Sequence, residues 1–174
     1  MKLAARPLLH VVAGLGPGGA ENFLLKLLRH DPALRASSAI LSLRPQTELQ
    51  AQFEALGVPV ERRPIRAHWS LPAQLIRIHR RINAPEVRLV QSWLYLSDSV
   101  ASVSGSLLGR KPVVWGIRSS HGAVGKRWTS LLARKLNPWL SKHHVRKIIC
   151  CGELSREVHL GLGYASDRLL VIPN

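Results

Sequence analysis

Acid is what this chain is short of. It carries 10 Asp and Glu against 25 Lys and Arg, a formal net charge of +15. Between Asp98 and Glu153 there is no acidic residue, while Arg110, Lys111, Arg118, Lys126, Arg127, Arg134, Lys135, Lys142, Arg146 and Lys147 fall in that gap. Such an imbalance says nothing about fold, but it draws polyanions: phosphorylated substrates, anionic lipid or nucleic acid. The last lacks its usual companions. No helix-turn-helix, RNA-binding or zinc signature accompanies the charge, so no nucleic-acid partner is expected.

Cysteine is also scarce. Cys150 and Cys151 are neighbours inside an apolar run. Adjacent cysteines rarely bridge, so both read as reduced core residues of a cytosolic protein. The eight histidines are scattered without metal-ligand spacing, and no metal is expected. No apolar stretch approaches the roughly 20 residues needed to span a bilayer. Leu8–Leu15, although preceded by Lys2 and Arg6, is too short and too glycine-broken for a secretory signal. Internal repeats and low-complexity segments are absent. With 174 residues, 46% hydrophobic and 20% charged, the chain reads as one globular domain with a sizeable core.

What is present is alternation. Leu8–Ala13, Ser38–Leu43, Val58–Arg62, Val87–Ser92, Pro112–Ile117, Lys147–Cys151 and Leu169–Ile172 read as strands. Several are apolar at nearly every position, the mark of burial on both faces. Helical stripes lie between them. Ala20, Phe23, Leu24, Leu27 and Leu28 form one. Leu49, Phe53 and Leu56 form a second, ended by Gly57. Leu71, Leu75, Ile78 and Ile82 form a third, with Ser70 as N-cap and Pro72 in the first turn. Ser97–Leu108 is a fourth, ended by Gly109. Trp128, Leu131, Leu132 and Leu136 form a fifth, which Pro138 is expected to stop. Glu153–Leu162 is a sixth, ended by Gly163. This order predicts a doubly wound, mostly parallel α/β sheet of about seven strands with helices on both faces.

Gly14, Gly16 and Gly19 satisfy the dinucleotide fingerprint G-x-G-x-x-G in a strand–turn–helix context. That leaves an NADP-binding Rossmann domain open, with Arg44 placed to meet a 2′-phosphate where the acidic residue for a ribose is missing. Pro17 opposes this, since it removes an N–H that a pyrophosphate would use. A Walker-type phosphate loop is excluded, because no Gly-Lys-Ser/Thr follows.

The string from His10 through Gly14, Gly16, Gly18, Gly19 and Ala20 to Glu21 resembles the opening of the N-terminal domain of family 4, GT-B-fold glycosyltransferases. Val90–Asp98 resembles that family's fourth strand and following loop, and Val113–Ser120 the next strand and its loop. Trp115–Ser120 resembles the subgroup that builds bacterial capsule, exopolysaccharide or lipopolysaccharide. Cys150–Tyr164 resembles the last N-terminal βα unit, and Leu170–Asn174 the strand entering the interdomain linker. The resemblance covers nearly the whole chain. It implies a Rossmann-like, acceptor-side domain spanning 1–174, with the donor-binding C-terminal domain outside this chain. It further implies a nucleotide-sugar donor, a glycan or lipid-linked acceptor, no cofactor or metal, and a cytoplasmic location at the inner face of the plasma membrane.

The same resemblance, with the chemistry of the side chains, marks candidate sites. Gly16, Gly18 and Gly19 would allow close backbone approach to donor or acceptor. Glu21 lies in the first helical turn, where the dipole favours a carboxylate, so capping competes with ligand binding. Trp93 and Tyr95 are aromatic candidates for stacking on an acceptor sugar. Arg118 stands where many family members place a histidine, with His121 three residues on, and its guanidinium suits phosphate or carboxylate. Lys126, Arg127, Arg134, Lys135 and Lys142 on and around the fifth helix read as an anionic-membrane surface.

Overall fold

The computed structural model describes residues 6–45, 47–66, 69–119 and 128–173. Seven strands form one parallel sheet: β1 Leu8–Val12, β2 Ser38–Ser42, β3 Val60–Arg62, β4 Leu89–Trp93, β5 Val113–Ile117, β6 Lys147–Cys150 and β7 Leu169–Val171. Their spatial order is β3-β2-β1-β4-β5-β6-β7. The register sets Leu9 beside Ala39 on one side and Val90 on the other. All five residues of β2 are buried, as expected for a strand covered on both faces.

Helices α1 Gly19–His30, α2 Pro32–Ser37, α3 Gln50–Ala55, α4 Leu71–Ile82, α5 Tyr95–Ala101, α6 Trp128–His143 and α7 Glu153–Gly161 connect the strands. Strand alternation splits the core in two. Val12, Ile40 and Trp93 meet Leu24, Leu28 and Phe53 of α1 and α3 on one face. Leu9, Val11, Val90, Trp115 and Ile148 meet Ile78, Ala101, Leu140 and Tyr164 on the other. Gly57 and Gly163 close α3 and α7 with positive φ of 74° and 85°. The following amides, of Val58 and Tyr164, reach back to the carbonyls of Phe53 and His159. Only glycine adopts that backbone without strain, which is why both helices end there.

Four local features depart from the sequence reading. The six-residue α2 was not anticipated, although its signals are present: Asp31 accepts the Leu34 amide at 2.8 Å and Pro32 opens the turn. The fourth helix starts at Tyr95 and passes into a π-helical segment, Ser102–Leu107. A Cβ on Gly105 would sit 3.1 Å from Val113 and 3.3 Å from Ile82, so this small-residue segment presses directly on the sheet and on α4. Ser70 holds the N-cap place of α4 without capping; its hydroxyl accepts from the Gln74 side chain instead.

The largest correction concerns α6. Pro138 does not stop it: the helix runs through to His143 with the proline inside. Pro138 has no N–H for the Arg134 carbonyl four residues back. Side-chain anchors outweigh that loss. Asn137 donates to the Tyr95 carbonyl (3.0 Å) and accepts from Ser99 (2.6 Å), and Ser141 accepts the Ala165 amide. The buried face of α6 is therefore Ala133, Asn137, Leu140 and Ser141. Leu131 and Leu132, two residues of the expected apolar stripe, face solvent at 50% and 52% exposure. The Trp128 side chain lies outside the described residues.

Candidate functional site

The strand order reverses between β1 and β4, since β1 leads towards β2 while β4 leads towards β5. In sheets of this kind the crevice beyond the carboxyl ends of those two strands receives ligands. The residues there come from the loop after β1, the start of α1, and the ends of β4, β5 and β7.

Leu15 pins the glycine loop. It is fully buried, and its carbonyl accepts the Leu49 amide at 2.9 Å. Gly16 is half-buried; Pro17, Gly18 and Gly19 stand exposed at the rim. Gly18 is the N-cap of α1 in extended conformation, and its carbonyl accepts both the amide and the side chain of Asn22. A Cβ on Gly18 would lie 2.3 Å from Glu21 Oε2, whereas a Cβ on Gly19 would meet nothing within 4 Å. The Glu21 carboxylate thus folds back over the helix start, and Gly19 opens onto free space. Burial raises the Glu21 pKa, partly offset by its own backbone amide. A carboxylate over this N-terminus, with no N–H on Pro17, suits a hydroxyl-bearing ligand better than a pyrophosphate. It weighs against dinucleotide binding by Gly14, Gly16 and Gly19.

Trp93, read as a stacking platform, is a core residue at 4% exposure. Its Nε1 donates to His10 Nδ1 at 3.2 Å. His10 Nε2 then faces Ser38 Oγ at 3.1 Å, and that hydroxyl donates to the Leu34 carbonyl. This chain satisfies every polar group of a buried triplet with His10 neutral, and burial pushes the His10 pKa down to about 3. The Trp93 ring also packs at 6.2 Å from Phe23 of α1. On Phe23 rests the guanidinium of Arg118, 3.3 Å from the ring centroid.

Arg118 follows β5. Its Nη1 donates at a long 3.5 Å to the carbonyl of Ile172 beyond β7. Among the described residues no carboxylate pairs with it. Burial lowers its pKa somewhat, offset by Cys151. A half-buried cation held over an aromatic ring, with N–H groups unmatched by any carboxylate among the described residues, is prepared for a phosphate or carboxylate. Phe23 is the residue of the candidate site that sequence reasoning missed; in the sequence it belonged to an apolar helical stripe.

Tyr95 opens α5 just after Leu94, whose φ of 67° with ψ of 162° is strained for a side-chain-bearing residue. The Tyr95 hydroxyl bonds His159 Nε2 at 3.1 Å and the rings stack at 5.8 Å. His159 Nδ1 in turn bonds the Ser155 carbonyl at 2.6 Å, so Nδ1 carries the proton and the tyrosine donates. Burial is the first cause that pushes the Tyr95 pKa up to about 12. Below it lies Asp98, fully buried, with Oδ1 accepting from Ser92 at 2.6 Å and Oδ2 without a partner among the described residues. Burial pushes its pKa up to about 7, with the Ser92 hydrogen bond pulling the other way.

The structure therefore brings Gly18, Gly19, Glu21, Phe23 and Arg118 to one edge. His121, Lys126 and Arg127 lie outside the described residues. Arg134, Lys135 and Lys142 are exposed on α6 together with Leu131, Leu132 and Trp139. Both cysteines are free, Cys150 buried and Cys151 half-buried. No group of three or more His, Cys, Asp or Glu able to hold a metal occurs among the described residues.

A parallel seven-stranded sheet with its glycine loop at the β1/β4 reversal defines a Rossmann-like half of a GT-B fold. The glycosyltransferase family 4 model matches residues 17–174, and the chain belongs to that family. Among solved structures it resembles Alr3699/HepE from Anabaena in complex with UDP and glucose (TM-score 0.77, 17% identity, 97% of this chain and 44% of that one). The same protein in complex with UDP-glucose gives a TM-score of 0.77 over 96% of this chain and 43% of that one, at 17% identity. A glycosyltransferase from Rickettsia africae matches with a TM-score of 0.65 and 12% identity, over 98% of this chain and 44% of that one. The chain thus spans less than half the length of these relatives. No curated protein sequence matches it.

Proposed function

We propose that this chain is the acceptor-side domain of a glycosyltransferase that moves a sugar from a UDP-sugar to a glycan or lipid-linked acceptor of a bacterial cell envelope, of the capsule, exopolysaccharide or lipopolysaccharide type. The observation that carries the reading is Arg118, held on Phe23 at the carboxyl edge of the sheet beside the first turn of α1, which bears Glu21. UDP-glucose in the HepE structure supports the donor class. Arg118 holds an anionic group of donor or acceptor through paired N–H donors. Glu21 accepts from a sugar hydroxyl, and Gly19 leaves the space through which it approaches. Leaving-group charge is offset by side chains and helix dipoles rather than by a bound metal. The donor pocket belongs to a second, C-terminal domain, so residues 1–174 alone fold without transferring sugar.

The test is transfer of radiolabelled glucose from UDP-glucose to membrane-extracted acceptor lipid and glycan. The protein carrying this domain is compared with its Arg118→Ala variant and with residues 1–174 alone. Transfer that persists unchanged in Arg118→Ala removes the role given to the arginine. Turnover by residues 1–174 alone removes the need for a second domain.

The outer face of α6 supports a further element, peripheral binding to the cytoplasmic leaflet. Leu131, Leu132 and Trp139 are exposed there among Arg134, Lys135 and Lys142. An apolar groove of about 580 Å³ between α4, α5 and α6 lies beside them, walled by Leu75, Ile76, Val103, Leu108 and Leu132. Each nearby cation adds roughly 1 kcal/mol on anionic lipid. Among the described residues no helix is long and apolar enough to cross a membrane. Co-sedimentation with phosphatidylglycerol vesicles, lost in Lys135→Glu/Lys142→Glu and at high salt, is the expected result. Binding indifferent to both would sink the membrane reading.

A further inference from the structure

The amino-terminal edge of the sheet, opposite the edge of Arg118, holds a cavity of about 380 Å³ between the starts of β5 and β6. Arg110, Lys111, Arg146 and Arg168 line it, with His143 and His144 from the end of α6. Two of these cations are fixed by the fold. Lys111 Nζ donates to the carbonyls of Ala84 and Val87, and Arg168 Nη1 donates to the carbonyl of Val145. Arg110 and Arg146 are exposed, and among the described residues no carboxylate pairs with either. The carboxylate on hand, Asp167, reaches Arg168 Nε only at 3.9 Å and is itself largely in solvent.

The imidazoles are held as well. His144 Nδ1 lies 3.4 Å from Ser106 Oγ, and the Trp139 ring packs at 5.4 and 5.1 Å from His143 and His144. Burial lowers the His144 pKa, with smaller contributions from His143 and Arg168. One effect opposes an anion here: α6 ends at the cavity with the equivalent of about half a negative charge. Four full positive charges, two of them fixed in place, outweigh it.

We propose that this cavity is a phosphate-binding site, taking the phosphate of a soluble anion or of an anionic lipid headgroup. Arg110 and Arg146 supply the planar, paired donors that phosphate geometry matches, and Lys111 and Arg168 supply a positive floor that needs no reordering on binding.

Titration of the protein with inorganic pyrophosphate, followed by amide chemical shifts, tests it. Shifts at Lys111, Val113 and His144–Arg146 are expected to saturate together. Arg110→Glu/Arg146→Glu should weaken that binding roughly tenfold or more, and Arg118→Glu should leave it alone. Both arginines are exposed, so the double variant keeps its fold, which its unshifted remaining amides verify. Phosphatidylglycerol vesicles then separate the sources. A soluble anion is indicated when the double variant loses pyrophosphate but keeps vesicle binding. A lipid headgroup is indicated when vesicle binding falls with it, beyond any loss from Lys135→Glu/Lys142→Glu. Pyrophosphate shifts that never saturate, or that survive in the double variant, overturn the site when vesicle binding is equally unmoved. Sugar transfer plays no part in these readouts, so failure here leaves the transferase reading standing.

Discussion

Asp98→Asn is expected to stabilise this protein at neutral pH and above while doing little in acid. Asp98 is fully buried, with one oxygen bonded to Ser92 and the other without a partner among the described residues. Burial raises its pKa from an ordinary 3.8 to about 7. A carboxyl raised in the folded state stabilises fully below its ordinary value, and that contribution is lost as pH rises through about 7. About three pH units at 1.36 kcal/mol each come to about 4 kcal/mol withdrawn by mild alkali. Asparagine keeps the acceptor for Ser92, stays neutral at every pH, and so avoids that loss. The variant and the parent should match near about pH 4, and the variant should lead by up to about 4 kcal/mol near about pH 8. Urea unfolding followed by tryptophan fluorescence at both ends measures it. A second signature checks the sign. His10, pushed down to about 3, makes stability fall as pH drops below 6.5, and between about 4 and 6.5 it opposes Asp98. Asp98→Asn should therefore expose a slope of about 1.4 kcal/mol per pH unit in that window that the parent lacks. A variant less stable than the parent by the same margin at both ends would refute the reasoning, because the buried carboxyl would then be ionised and matched.

Phe23→Leu and Arg118→Ala should not add. If the ring acts by holding the guanidinium, Phe23→Leu lowers kcat/KM by roughly fivefold in the parent, matching a cation–π contact of about 1 kcal/mol. It should do nothing further in Arg118→Ala, as a double-mutant cycle will read. Gly18→Ala should displace the Glu21 carboxylate, the flexible tip 2.3 Å from the new methyl, with a small effect on melting temperature. In that variant the Glu21 pKa, followed by carboxyl NMR, should return towards its ordinary range. Gly19→Ala meets nothing within 4 Å, so unchanged stability with a raised KM would locate the ligand's approach at that residue. Asn137→Ala removes two hydrogen bonds of a buried side chain that anchor α6 and should cost about 2–4 kcal/mol in denaturant unfolding, with α6 amides losing exchange protection first.

The strands and their parallel arrangement were legible because burial on both faces leaves a sequence mark, short runs of mostly apolar residues such as Ala39-Ile40-Leu41 of the fully buried β2. The glycine loop and Arg118 were legible because topology sends ligands to strand ends. What escaped depends on partners distant in sequence. Trp93 looked like a platform, but His10, 83 residues away, takes its N–H. Asp98 gave no sign of burial within its own segment. Pro138 follows a local rule that fails where Asn137 and Ser141 tie the helix to α5 and to the loop before β7. The leucines of α6 make an apolar stripe that fits a membrane-facing or a core-facing side equally in sequence; the helix buries its polar anchors and shows Leu131 and Leu132 to solvent. In the family match the loop from Gly18 onwards gains a meaning that its glycine spacing alone leaves shared with dinucleotide domains.

The bond from Arg118 to the Ile172 carbonyl stands at 3.5 Å, the outer limit of such contacts. A single N–H serves only one strong acceptor at a time, so an anion that takes the N–H now aimed at Ile172 competes with the main chain beyond β7 for that donor. The loser is released. Filling the arginine loosens its hold on the segment that leaves the last strand, and pulling that segment away leaves the arginine better able to bind. Because the tether is long and weak, the exchange is nearly free in either direction, and a ligand of modest affinity suffices to drive it.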